Sequence, residues 1–116
     1  MRELGLVAAG GAVGTLARYG LDSTVAATGH VPTSTLLVNV VGSLLIGVLL
    51  GQSLPDRLRL LTCTGVLGGF TTYSALAVQT QDLLVEGHPV VGLAYTIGSV
   101  AAGVAVAAAG LRWSRR

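Results

Sequence analysis

The stretch Gly65-Val66-Leu67-Gly68-Gly69-Phe70-Thr71-Thr72-Tyr73-Ser74 decides how this chain folds. It interrupts an apolar run from about Leu58 to Val85, placing three glycines beside the hydroxyls of Thr71, Thr72 and Ser74. A glycine weakens a helix by about 1 kcal/mol relative to alanine. Two readings follow. Gly65 and Gly69 form a small-xxx-small pair suited to a close helix crossing, as do Gly10/Gly14 and Gly47/Gly51. Alternatively the segment is a broken helix, whose freed carbonyls attract cations and whose amides attract anions. The hydroxyls favour a site, and the segment Gly65 to Ser74 is read as a break in the third of four spans.

The rest of the sequence makes this a membrane question. Of 116 residues, 52% are hydrophobic and only 10% charged, against roughly 25% charged in an average soluble domain. The mean hydropathy is +0.75. That composition excludes disorder, and the 4% aromatic content argues against an aromatic-rich soluble core. Stretches of about 20 apolar residues cross a bilayer, and spans are predicted at about 4–20, 35–51, 58–85 and 90–111 within one domain, 1–116. A buried soluble bundle would show a polar face on each helix, and Val90 to Leu111 has no charge on any face. Thr33 or Ser34 is placed to cap the second helix. Ser53 is placed to cap the third, with Pro55 at its first helical position. Glu86-Gly87-His88-Pro89 reads as the last turn.

Charge sets direction. The net charge of +2 comes from arginine, the sequence having no lysine. Arg2, Arg57, Arg59, Arg112, Arg115 and Arg116 all fall on one side of four spans, and the other side carries only His30 and His88. Both termini are therefore predicted to be cytoplasmic, with Trp113 as an interfacial anchor. The first apolar run lacks a cleavage site followed by a polar domain, so it is not read as a signal peptide. Without a basic polar domain, no nucleic-acid partner is expected. Cys63 stands alone in an apolar run and reads as a packing residue. His30 and His88 lie beside turns and read as solvent-exposed. No nucleophile–base set, metal spacing or phosphate loop suggests an enzyme.

Polar groups within the spans are the candidates for function. Arg18 is the only charge well inside an apolar span, either a snorkelling side chain or a site residue. Asn39 is either helix–helix glue or part of a site. Tyr95 and Ser99, four apart, share one face of the last span.

Gly10-Gly11-Ala12-Val13-Gly14-Thr15-Leu16-Ala17-Arg18-Tyr19, then Thr35 to Gly47 around Asn39, then Gly65 to Ser74, resemble the Fluc (CrcB-type) fluoride channels, in the right order over essentially the whole chain. The resemblance implies an all-α four-helix chain that pairs antiparallel with a second subunit and exports fluoride passively across the cell membrane. It implies that Asn39 presents its amide to the anion and that Tyr95 and Ser99 belong to a hydroxyl track, whose third step, commonly Ser, is here Gly103. Thr72, Tyr73 and Ser74 would complete the fluoride pathway, and Arg18 would draw anions into a vestibule. Backbone carbonyls of Gly68 and Thr71 would hold a structural sodium ion between the subunits.

The family pattern Thr-Thr-Phe-Ser-Thr-Phe-Ser-x-Glu here reads Thr71-Thr72-Tyr73-Ser74-Ala75-Leu76-Ala77-Val78-Gln79. Leu76 lacks the positive ring edge of a phenylalanine, and Gln79 lacks the acid. Together with the one-sided arginines, this points to a heterodimer with an oppositely oriented homologue. The alternatives are a non-conducting scaffold subunit and a small proton-coupled multidrug exporter. The last would need a carboxylate within the first span, where none lies between Glu3 and Asp22.

Overall fold

A computed structural model describes residues 1–116. Its helices are α1 (Arg2–Thr24), α2 (Thr33–Leu50), α3 (Asp56–Arg59), a π-helical segment (Leu60–Leu67), α4 (Gly68–Phe70), α5 (Tyr73–Val85) and α6 (Pro89–Ser114). The elements from Asp56 to Val85 form one interrupted span, so four helical segments are long and apolar enough to cross a membrane. The observed helices overrun several predicted ends, α1 reaching Thr24 and α6 Ser114. The long axis of 47 Å is close to the roughly 40–45 Å of a bilayer with its headgroups. Only 15 residues are buried, while Leu16, Ile97 and Val104 are more than 60% exposed. Such a surface suits hydrocarbon, which has no water to exclude it.

Glycine contacts show how the spans pack. A Cβ on Gly14 would meet the Val66 carbonyl and the Phe70 amide, one on Gly10 the Leu61 carbonyl, and one on Gly69 the Gly11 carbonyl. Backbone therefore lies on backbone where α1 crosses the third span. On the other side Gly47 faces the Ala107 carbonyl, Gly110 the Leu44 carbonyl and Gly51 the Ser114 side chain. Residue numbers rise together in both pairings. α1 thus runs parallel to the third span and α2 parallel to α6, as four alternating spans require. Without hydrophobic attraction between helices in lipid, this close approach gives the dispersion contacts that hold the spans together.

The break is narrower than the predicted Gly65–Ser74. The glycines stay helical and serve the close crossing, while only Thr71 (φ −79°, ψ 159°) and Thr72 (φ −149°, ψ 120°) are extended. Both readings of the segment hold, each for one part of it. The π-helical segment before it has no sequence signal.

The turns differ from expectation in detail. α2 starts after Pro32 without a side-chain cap, because Thr33 Oγ1 bonds instead to Thr28 Oγ1 and the Val31 carbonyl. Pro55 precedes the third span's first helical residue, and Ser53 does not cap it. Glu86 to His88 close α5 with Gly87 at φ 86°, His88 N–H donating to the Leu83 carbonyl and Gly87 N–H to the Leu84 carbonyl, a Schellman end. His88 is half-buried rather than exposed, because its ring stacks on His30 at 4.0 Å.

Gly14→Ala is expected to cost about 1–3 kcal/mol through overpacking against backbone that cannot move aside. Gly98→Ala, in the interior of α6 where a Cβ meets nothing within 4 Å, is expected to leave stability unchanged or raise it by up to about 1 kcal/mol. Unfolding in mixed detergent micelles measures both.

Candidate functional site

Two extended residues in mid-span expose backbone that lipid cannot satisfy, and each unpaired group costs several kcal/mol there. α2 passes close enough to answer this, since Gly42 leaves room for the Thr71 methyl. One turn earlier Asn39 meets the break. Its Nδ2 donates to the Thr72 carbonyl at 2.9 Å, and its Oδ1 accepts from the Thr72 N–H at 2.8 Å. The amide thus replaces both hydrogen bonds that helix would have supplied, and one Nδ2 hydrogen stays unused. Thr72 Oγ1 then accepts from the Ala75 N–H at 3.2 Å and caps α5, and it pairs with Ser74 Oγ at 3.2 Å. Thr71 turns back, its hydroxyl and N–H both donating to the Leu67 carbonyl. The Thr71 carbonyl accepts no hydrogen bond within the chain.

The break separates two cavities. One, about 470 Å³, opens between α2, the break and α6, and is lined by Asn39, Ser43, Gly68, Thr71, Thr72, Tyr73, Leu76, Ser99 and Gly103 among others. The second, about 480 Å³, lies between α1 and α5 and is lined by Thr15, Arg18, Tyr19, Asp22, Thr72, Ser74, Ala75, Val78 and Gln79. Thr72 lines both. Of the sequence-predicted residues, Asn39, Gly68, Thr71, Thr72, Tyr73 and Ser99 gather at the first cavity, and Arg18 and Ser74 at the second. Tyr95 lines neither.

Tyr95 is instead tied into a buried network. Its hydroxyl donates to Gln79 Oε1 at 2.8 Å, and Gln79 Nε2 donates to Thr35 Oγ1 at 2.9 Å. Tyr95 and Thr35 are 6% and 3% exposed. Gln79, noted in the sequence only as a missing acid, is the bridge that joins three elements. Ser99 donates back to the Tyr95 carbonyl at 2.6 Å. Leu76, at the second phenylalanine position, is buried with Leu83 and Tyr95. Sequence reasoning missed Thr35, Ser43 and Gln79. The available signal was the spacing of Thr35, Asn39 and Ser43, four apart in an otherwise apolar span, which puts them on one face of α2.

Asn39→Ala is expected to destabilise the chain by about 2–4 kcal/mol, leaving two backbone groups unpaired. Thr72→Ala keeps the backbone clamp and loses the α5 cap and the pairing with Ser74 Oγ, at about 1–2 kcal/mol. Mixed-micelle unfolding of both variants tests that order.

Comparison with known proteins matches residues 5–111 to the family described as CrcB-like protein, Camphor Resistance (CrcB). The chain is 46% identical over 113 residues to the fluoride-specific ion channel FluC of Thermus thermophilus, covering 92% of this chain and 90% of that one. It is 43% identical over 107 residues to the fluoride-specific ion channel FluC 2 of Rhodococcus jostii, covering 92% and 94%. It is 40% identical over 125 residues to the fluoride-specific ion channel FluC of Methanopyrus kandleri, covering 99% and 95%. With its spans, its mid-membrane break and nearly all of its length matched, the chain belongs to the CrcB-like family.

Proposed function

We propose that this chain is a subunit of a fluoride-specific channel that lets fluoride leave the cell passively and so lowers its toxicity. The observation that carries this reading is the pair of cavities meeting at Thr72, in a chain 46% identical to a protein named for that activity. Fluoride is small and strongly hydrated, so a pore must offer hydrogen-bond donors that replace its water. The first cavity offers Asn39, whose second Nδ2 hydrogen is unused, beside the Tyr73 hydroxyl, with Ser99 in its wall. The second offers the Arg18 guanidinium to attract an anion at its mouth. Such a subunit moves an ion and carries out no reaction.

The chain acts in the cell membrane with both termini cytoplasmic. The arginines of both termini and of α3 gather at one end of the bundle, as the positive-inside rule requires. That bias supports pairing with an oppositely oriented homologue, because a single sequence inserted both ways needs little bias. Tyr73, 81% exposed at the edge of the first cavity, is available to such a partner, while Leu76 brings no aromatic edge of its own. Two of the relatives carry the name FluC 2.

Fluoride efflux from liposomes is expected when this chain is reconstituted with a homologue of opposite arginine bias, and to be absent with this chain alone. Efflux from the single chain removes the heterodimer requirement. Efflux from the homologue alone, unchanged by adding this chain, makes this chain at most a scaffold. Cysteine-accessibility mapping is expected to find it in one orientation.

A sodium ion between the subunits fits the residues present. The Thr71 carbonyl is unpaired, and the Gly68 carbonyl receives neither the Thr71 N–H, which goes to Leu67, nor the Thr72 N–H, which goes to Asn39. Oxygens at a helix break are the donor set such a cation takes. In that place the ion would join two breaks electrostatically. Replacing sodium by N-methylglucamine on both sides of the membrane is expected to reduce assembly, read by cross-linking, and efflux together.

A further inference from the structure

We infer that Ser43 of α2 supplies an anion-binding hydroxyl in the first cavity, taking the place left by Gly103 on the facing helix. The inference rests on the channel reading above and adds a residue to it. Most hydroxyls around this cavity are already used. Thr71 donates to the Leu67 carbonyl and Ser99 to the Tyr95 carbonyl, and Thr72 is paired with Ser74 while capping α5. Tyr73 stands 81% exposed.

Ser43 differs from all of these. It lines the cavity, is half-buried, and bonds to no group in the chain. No buried side-chain oxygen or nitrogen lacks a partner, so the Ser43 hydroxyl opens into the cavity rather than into packing. A helical serine commonly turns back to the carbonyl four residues earlier. Here Oγ lies toward α6 instead, 3.1 Å from where a Cβ on Gly103 would stand. A side chain at position 103 would press on Ser43, and the absence of one leaves the hydroxyl free to turn toward an ion. Asn39, one helical turn before Ser43, lines the same cavity and keeps one amide hydrogen. Two donors on one face of α2 thus face a single space. A hydrogen bond to an anion is stronger than one between neutral groups, which matters for an ion that gives up its water.

The test moves the hydroxyl from one helix to the other. In liposomes carrying the assembly that conducts, Ser43→Ala is expected to lower fluoride efflux about tenfold, with an unchanged thermal melting curve. The double variant Ser43→Ala, Gly103→Ser puts a hydroxyl back into the same space and is expected to restore most of the flux. Ser43→Ala with wild-type efflux overturns the assignment. So does a loss that the double variant fails to restore, which marks Ser43 as a packing residue. An unmutated assembly that passes no fluoride overturns the channel reading itself, a result the variants cannot mimic.

Discussion

A carbonyl and an N–H set free in the middle of a membrane need partners, and the paired hydrogen bonds from Asn39 to Thr72 provide them. Helical geometry would have spent both groups on neighbours along the chain. With Thr71 and Thr72 extended, no neighbour is in reach and no water is at hand. One carboxamide carries a donor and an acceptor side by side, matched to the C=O and N–H of a single residue, Thr72. A hydroxyl has its donor and acceptor on one atom rather than side by side, and a carboxylate can accept only from the N–H. Everything at the site follows from holding this residue still. The cap of α5, the direction in which the Thr71 carbonyl is left unpaired, and the wall between the two cavities are all set at Thr72.

The clamp works only because the helices come very close. Where α1 meets the third span, glycines let backbone rest on backbone, and where α2 meets α6 the same is true at Gly47 and Gly110. The parallel course of α2 and α6 sets their residues side by side in register. Ser43 faces Gly103 and Gly47 faces Ala107. One turn back Asn39 and Ser99 line one cavity, and a further turn back Thr35 and Tyr95 are joined through Gln79. A polar seam therefore runs along one side of this pair, enclosed by apolar surface. Its groups are neutral, which spares the chain the cost of burying a charge in hydrocarbon.

The arginines act at a distance from this seam. Six of the seven collect at one end of the bundle, where they meet headgroups and water, and Arg18 alone lines one of the two cavities at the break. Fluoride asks for the same division of labour. Charge gathers the ion at an entrance, and uncharged donors then replace its hydration shell without holding it too firmly. At the opposite end the His30–His88 stack joins the α1–α2 connection to the turn before α6, each ring carried on a tight turn with a glycine in the left-handed region, Gly29 and Gly87.

Much of the fold was legible along the chain, because hydrophobic run length, arginine placement and turn glycines are local and additive signals. Four spans, their order, the bias of charge and the turn at Gly87 were all read from composition and spacing. So was the choice of Asn39, Thr72 and Ser99, since a polar residue in an apolar span stands out whatever lies beside it. What the sequence could not divide was the segment Gly65 to Ser74, where a glycine that yields to a neighbouring helix looks the same as a glycine that ends its own. Only packing separates them: α1 lies against Gly65 and Gly69, and nothing helical continues past Phe70. The partners of polar groups were likewise a tertiary matter. Gln79 looked like a lost acid until Thr35 and Tyr95 were placed beside it, and Ser43 carried no reading until Gly103 lay opposite. A hydrogen bond is a relation between two positions far apart in the chain, so one-dimensional periodicity marks each end and leaves the pairing to the fold.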